Sequence, residues 1–210
     1  MLLATRSAGK IRELRPLLLS RGIGVISLDD AGIAESDAED ALEVYSTFEE
    51  NALAKARYFA RLSGRPTLAD DSGLAVDALN GRPGVVSKRW SGRLDLSGQA
   101  LDDENNRLLL EALRAKPKRH AHYVCAAAYA DNSRELVARG EVHGHILETA
   151  NGLGGFGYDP YFFAEELGKS FGDASRDEKA TVSHRARAFV ALMGLLRVDG
   201  IGRRNTFVTS

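Results

Sequence analysis

Residues 66–76 read Pro-Thr-Leu-Ala-Asp-Asp-Ser-Gly-Leu-Ala-Val. A short apolar run of this kind is a buried β-strand, and an acidic step, Asp70-Asp71, interrupts it. Burying an ionised carboxylate is costly unless it is paired, hydrogen-bonded or bound to a metal. Two adjacent carboxylates in an otherwise apolar run therefore call for a cation. A hard divalent ion such as Mg²⁺ suits them, because it takes oxygen ligands and shares them with substrate phosphates. The competing reading is a surface turn, with one aspartate bonded to its own backbone and Gly73 closing the turn.

The rest of the chain bounds what can surround this step. Its 210 residues are enough for one domain or two closely joined lobes. The net charge of -1 supplies no global basic field, so nucleic acid and anionic membrane are not expected partners and any anion site is built locally. A single cysteine, Cys125, excludes an internal disulfide and a multi-cysteine metal site. With no basic region ahead of an apolar core at the start, and no run near the ~20 apolar residues of a membrane span, a soluble, cytoplasmic protein is expected.

In order, Leu2-Leu3-Ala4 reads as a strand, and Ile11, Leu14, Leu17 and Leu18 fall at helical spacing. The small and basic stretch between them, Thr5-Arg6-Ser7-Ala8-Gly9-Lys10, lies where a helix N-terminus favours phosphate. An ordinary connection with Lys10 solvated is the alternative. Val25 to Leu28 is a second strand, and 29–45 an acidic loop. Thr47 opens a helix that Ser63-Gly64 ends. Thr47 and Glu50 match a capping box; alternatively Glu50 faces a cleft as a metal carboxylate, with Lys55 reaching an anionic substrate. Residues 87–92 read as a basic surface loop, and the acids of 102–104 as the first turn of a helix. Residues 121–130 and about 135–146 form a hairpin; its histidines at 120, 122, 143 and 145 read as strand residues, not ligands. In 151–160, glycines alternate with Phe156 and Tyr158, flat faces for a base, and Asp159 offers an acceptor; Gly157 permits close approach. Lys169, Lys179, His184 and Arg185 precede a closing helix over 186–196 packed on the core.

Taken together, Ala4-Thr5, Gly9-Lys10, Thr47-Phe48, Glu50-Asn51-Ala52, Lys55-Ala56, Ala69 to Leu74, Pro83-Gly84, Gly154 to Pro160, Glu178-Lys179 and Ser183-His184-Arg185 resemble, in order, the motifs of the inosine triphosphate pyrophosphatase (Ham1-type) family. The resemblance implies an elongated α/β fold, with a central mixed sheet and two lobes flanking a nucleotide cleft. Residues 1–198 would form one catalytic domain and 199–210 a C-terminal tail. It implies a Mg²⁺-dependent homodimer that hydrolyses aberrant purine nucleoside triphosphates (ITP, dITP, XTP) to monophosphate and pyrophosphate. By position, Asp71 would be the catalytic carboxylate as base, metal ligand or both, with Glu50 helping to hold the metal and Asp70 in support. Thr5, Arg6, Ser7, Ala8, Gly9, Lys10, Lys55 and Ser72 would line the triphosphate; Phe156, Gly157, Tyr158, Asp159, Lys179, His184 and Arg185 would hold and read the base. The chain departs from the family at Arg6-Ser7, where Gly-Asn is usual, and at Lys88, Asp173 and Ala186. The first of these motivates one alternative, a pyrophosphatase for pyrimidine or modified nucleotides. A second, from a different class, is a nucleotide-binding regulator without turnover, against which the retention of Glu50, Asp70 and Asp71 speaks.

Overall fold

The acidic step does not break its strand. In the computed structural model, which describes residues 1–198, β3 (Thr67–Val76) runs unbroken. It pairs along its length with β4 (His120–Ala130), Asp70 opposite Ala127 and Asp71 opposite Ala126. Successive strand residues point to opposite faces, so the two carboxylates leave the sheet in opposite directions. Each finds its own partners there, which is why neither the expected interruption nor a surface turn forms.

Strands β2 (Ile26–Ser27), β1 (Leu2–Ala4) and β3 are parallel neighbours. From β3 the sheet continues antiparallel through β4, β5 (Glu135–Ile146), β6 (Phe162–Ala164) and β7 (Lys169–Ser170). The result is a seven-stranded mixed sheet in the order β2-β1-β3-β4-β5-β6-β7.

Helices α1 (Ala8–Leu19), α2 (Phe48–Ser63), α3 (Gly98–Leu113), α4 (Arg176–Val182) and α5 (His184–Val198) surround it. The alternation of β4 decides which face each covers. Val124, Ala126 and Ala128 meet Ala52, Ala56 and Phe59 of α2, whereas Cys125, Ala127 and Tyr129 meet Phe189, Leu192 and Met193 of α5. Fully burying a leucine or phenylalanine contributes roughly 1.5–3 kcal/mol, so both helices are anchored independently. A third cluster, with Leu74, Leu109, Tyr123 and Phe162, occupies the other end of β3 and β4. Asp70 and Asp71 therefore sit where β3 passes from the clusters under α2 and α5 toward the third.

Gly140 on β5 sets the position of α5. A Cβ there would lie 2.4 Å from both Ala188 N and His184 O. Only glycine lets the start of α5, with His184 and Arg185, press onto the sheet.

Several local expectations change. α3 begins at Gly98, ahead of its acidic run, so Asp102 and Asp103 are not first-turn residues. The 29–45 stretch contains a 3₁₀ helix (Asp37–Glu43), and 84–89 another, whose Ser87 is buried although 87–92 reads as a surface loop. α4, β6 and β7 go unread in the sequence because two to seven residues carry too little periodicity. The expected tail, 199–210, lies outside the described residues.

Candidate active site

On the α2 face, Asp71 is 6% exposed. Asn51 Nδ2 donates to its Oδ2 (2.9 Å), its own Oδ1 accepts from Ser72 N (3.0 Å), and Lys55 Nζ stands 3.9 Å from that Oδ1. Burial pushes the Asp71 carboxyl above the usual range, and the nearby Glu43 adds to it, outweighing Lys55 and Lys10. The 3₁₀ helix delivers Glu43, which accepts from Lys55 (2.7 Å) and Arg89 (3.2 Å). Burial opposes its ionisation, yet Lys55, Lys10 and Arg89 together bring it down to about 2.

On the opposite face Asp70 is 1% exposed. Its Oδ2 meets Lys10 Nζ (3.0 Å), Arg185 Nε (3.2 Å) and Ser72 Oγ (3.4 Å). Burial works against its charge, but Lys10 and Arg185 hold the carboxyl well below the carboxylate range. Arg185 continues outward to Ser72 Oγ (2.8 Å) and to Glu13, which also accepts from Lys179 (2.9 Å). Lys179 is clamped by Asp159 (2.5 Å). Lys179 and Arg185 thus hold the two carboxylate oxygens of Glu13 in a cleft of about 500 Å³ between α1, α4 and the glycine loop. Phe156 forms a wall of it: a Cβ on Gly9 would come within 2.7 Å of the ring, and Lys179 Nζ lies 5.1 Å from its centroid.

The remaining expected residues fall out as follows. Glu50 is exposed, and its carboxylate accepts from Thr47 Oγ1 (2.7 Å). The β1–α1 loop is ordered by Thr5 Oγ1, which accepts from Ser7 N, and by Ser7, which caps α1; Ala8 is exposed beside them. Tyr158 offers no free face: it is buried in the third cluster with its hydroxyl donating to Ser87 O (2.7 Å). Asp159 is buried in its pair with Lys179. His184 is buried, stacked on Tyr123 with centroids 4.6 Å apart, its Nδ1 without a partner. Arg6 does not point along the triphosphate loop. Its guanidinium meets Glu39 (2.7 Å), Ile33 O (2.9 Å) and Asp29 (3.2 Å), because an acidic segment passes within reach. It ties that loop to the segment carrying Glu43. Glu13, Glu43 and Asn51 received no role from the sequence. Glu13 lies three residues past Lys10 on the same helix face, a signal masked by the apolar stripe around it.

Two expectations follow. Arg6→Gly frees the 29–43 segment at a cost of about 1 kcal/mol, read as faster proteolysis within it and a slightly lower Tm. Burial, with Arg185 and Lys179 nearby, holds His184 neutral and its pKa well below the ordinary value. The unfolded histidine takes up a proton below about pH 6.5 that the folded one refuses, so stability falls with pH below that point by up to about 1.4 kcal/mol per unit. Melting curves of His184→Gln between pH 7 and 5 should lack this slope.

A divalent hard cation fits the residues present. The candidate ligands Asp71 and Glu50 offer carboxylate oxygens only, the donor type a hard cation takes. Among the described residues no three His, Cys, Asp or Glu side chains are gathered into a metal cluster, so phosphate oxygens would complete the shell, as Mg²⁺ usually requires.

The profile of the Ham1 family matches residues 1–195. A relative named dITP/XTP pyrophosphatase from Shigella flexneri is 42% identical over 202 residues, covering 94% of this chain and 98% of that one. Another of the same name from Ralstonia nicotianae is 41% identical over 201 residues, covering 94% and 96%. Among solved structures, a HAM1 protein from Coxiella burnetii superposes with a TM-score of 0.79 at 34% identity, over 94% of this chain and 98% of that one. A nucleoside-triphosphatase, or dITP/XTP pyrophosphatase, from Mycobacterium abscessus gives 0.70 at 40% identity, over 93% and 98%.

Proposed function

Since this chain belongs to the Ham1 family, we propose that it hydrolyses aberrant 6-oxo purine nucleoside triphosphates (dITP, XTP and ITP) to the monophosphate and pyrophosphate, with Mg²⁺ and as a homodimer. The observation that carries this reading is the split of two adjacent carboxylates. Asp71 faces Lys55 on one side of β3, while Asp70 gathers Lys10 and Arg185 on the other and leads to the Phe156 cleft.

Asp71 is suited to take a proton from an attacking water, because burial makes it a stronger acceptor than a solvated carboxylate. Asn51 fixes the orientation of that carboxylate. Lys55 and Lys10 stand ready to stabilise the charge on departing pyrophosphate. Asp71 and Glu50 would hold the Mg²⁺, which when bound would neutralise phosphate charge and activate the substrate for attack, while Asp70 fixes Lys10 from the other face of β3. In the cleft, Phe156 supplies a ring face, and Lys179 and Arg185, which both donate to Glu13 there, supply the donors for a base carbonyl. Adenine would set its amino group against these donors, leaving them unpaired, and a site built this way discriminates strongly.

The test is pyrophosphate release from dITP, XTP, ITP, dTTP and ATP, with Mg²⁺ and with chelator, alongside light scattering for the dimer. Turnover of the first three, with little from dTTP or ATP, is the expected result. Orthophosphate as product, preference for dTTP, or binding without turnover would each overturn it.

A further inference from the structure

No α3 residue lines the cleft among the described residues, yet three α3 side chains end on the backbone of two loops beside it. Asp102 Oδ2 accepts from Gly157 N (2.8 Å), and Asn106 Nδ2 donates to Gly157 O (3.0 Å). The glycine after Phe156 is thus gripped on both of its peptide groups by one helix. Between them, Asn105 accepts from Ser91 N (2.8 Å) and donates to Lys88 O (3.1 Å). The two loops are also joined directly, Tyr158 to Ser87 O, and Ser87 Oγ accepts from Leu74 N of β3 (2.9 Å). A chain of contacts therefore runs from the strand carrying Asp71 through Ser87 to Tyr158, the residue after Gly157.

We propose that Asp102 and Asn106 are positioning residues for the purine base, an assignment that rests on the function proposed above. By fixing the backbone on either side of Gly157 they hold the Phe156 ring against Gly9 and across from Lys179 and Arg185. The grip is polar where simple loop anchorage needs only apolar contact. Asn106 is 5% exposed and leaves its Oδ1 buried without a partner, and Asp102 gives up part of its hydration. Such groups are kept for direction, since hydrogen bonds fix an angle that apolar packing leaves loose. The reacting end of the substrate lies elsewhere, so the loss of the grip should weaken base binding and spare the chemical step.

The experiment compares steady-state hydrolysis of dITP with Mg²⁺ by the wild type, Asp102→Ala, Asp102→Asn and Asn106→Ala, with inorganic tripolyphosphate as a competitive inhibitor that carries no base. Both alanine variants should raise KM for dITP about tenfold, the effect of losing one oriented hydrogen bond, with kcat within about twofold. The inhibition constant for tripolyphosphate should not move. Asp102→Asn, which keeps an oxygen acceptor for Gly157 N–H, should recover most of the loss. KM for dITP and the tripolyphosphate constant rising together would mean general loosening of the site and would overturn the assignment, as would an unchanged KM. If Asn106→Ala does not fold, the two Asp102 variants decide alone. A wild type that releases no pyrophosphate overturns the proposed function and this assignment together, whereas an active wild type with insensitive variants overturns only the assignment.

Discussion

Asp71→Asn is expected to lower kcat for pyrophosphate release by about 10³-fold, the usual size of a general-base contribution, while leaving the protein at least as stable as the wild type. The loss arises because asparagine keeps the shape of Asp71 but cannot accept the proton of water. The stability arises from linkage. Burial and Glu43 raise the Asp71 pKa above its ordinary value, so between about pH 3.9, the unfolded aspartate value, and the raised folded value the native state holds more protons than the unfolded one. Stability therefore falls as pH climbs through that window, and at neutral pH the ionised Asp71 is a standing cost. Asparagine removes it. A pyrophosphate assay with matched thermal melts at pH 7 checks both halves. Activity within tenfold of the wild type would remove Asp71 from the role of base.

The neighbouring Asp70→Asn should behave in the opposite way, losing about 3–5 kcal/mol of stability, the range for breaking a buried ion pair from one side. For a chain of this size that is roughly 10 °C in Tm. Lys10 and Arg185 would then face a neutral amide in a site with almost no solvent. The pH sign is also reversed. Asp70 has a lowered pKa, so its contribution is fully present above about pH 3.9 and is lost as pH falls toward the folded value. Urea unfolding at pH 7 and pH 3 should show a wild-type advantage over the variant at pH 7 that shrinks at pH 3. An Asp70→Asn protein as stable as the wild type at neutral pH would mean that solvent reaches Lys10 and Arg185.

The contrast explains which parts of the site the chain displays openly. The Thr47 cap and αL Gly64 bound α2 within a residue of expectation, because both ends rest on local hydrogen bonds. The hairpin of β4 and β5 was equally legible, its turn and alternation being local. Glu13 and Glu43 were not legible. Each becomes significant only through cations from distant segments: Glu13 through Lys179 and Arg185, Glu43 through Lys55 and Arg89. Tyr158 read as a stacking face because its composition fits that use, but the Ser87 carbonyl that takes its hydroxyl is 71 positions away. Arg6 read as a phosphate contact, and only the passage of Glu39 and Asp29 beside it redirected its charge.

The sequence alone determined that an apolar strand would carry an acidic step, that helices and a hairpin would flank it, and that its ordered motifs resemble the Ham1 type. That the strand runs unbroken through both carboxylates is a tertiary result. The helices and hairpin rest on periodicity, caps and turn chemistry, which act over a few residues, and the resemblance rests on the order of motifs along the chain. The division of labour between Asp70 and Asp71 was decided by the tertiary structure. Strand geometry sends neighbours to opposite faces, but whether a carboxylate there is held ionised or pushed toward its proton depends on the charges that other elements bring. α1 and α5 bring Lys10 and Arg185 to one face; α2 and the 3₁₀ segment bring Lys55 and Glu43 to the other. Electrostatic free energy in a buried site depends on distance through space, and distance along the chain says almost nothing about it.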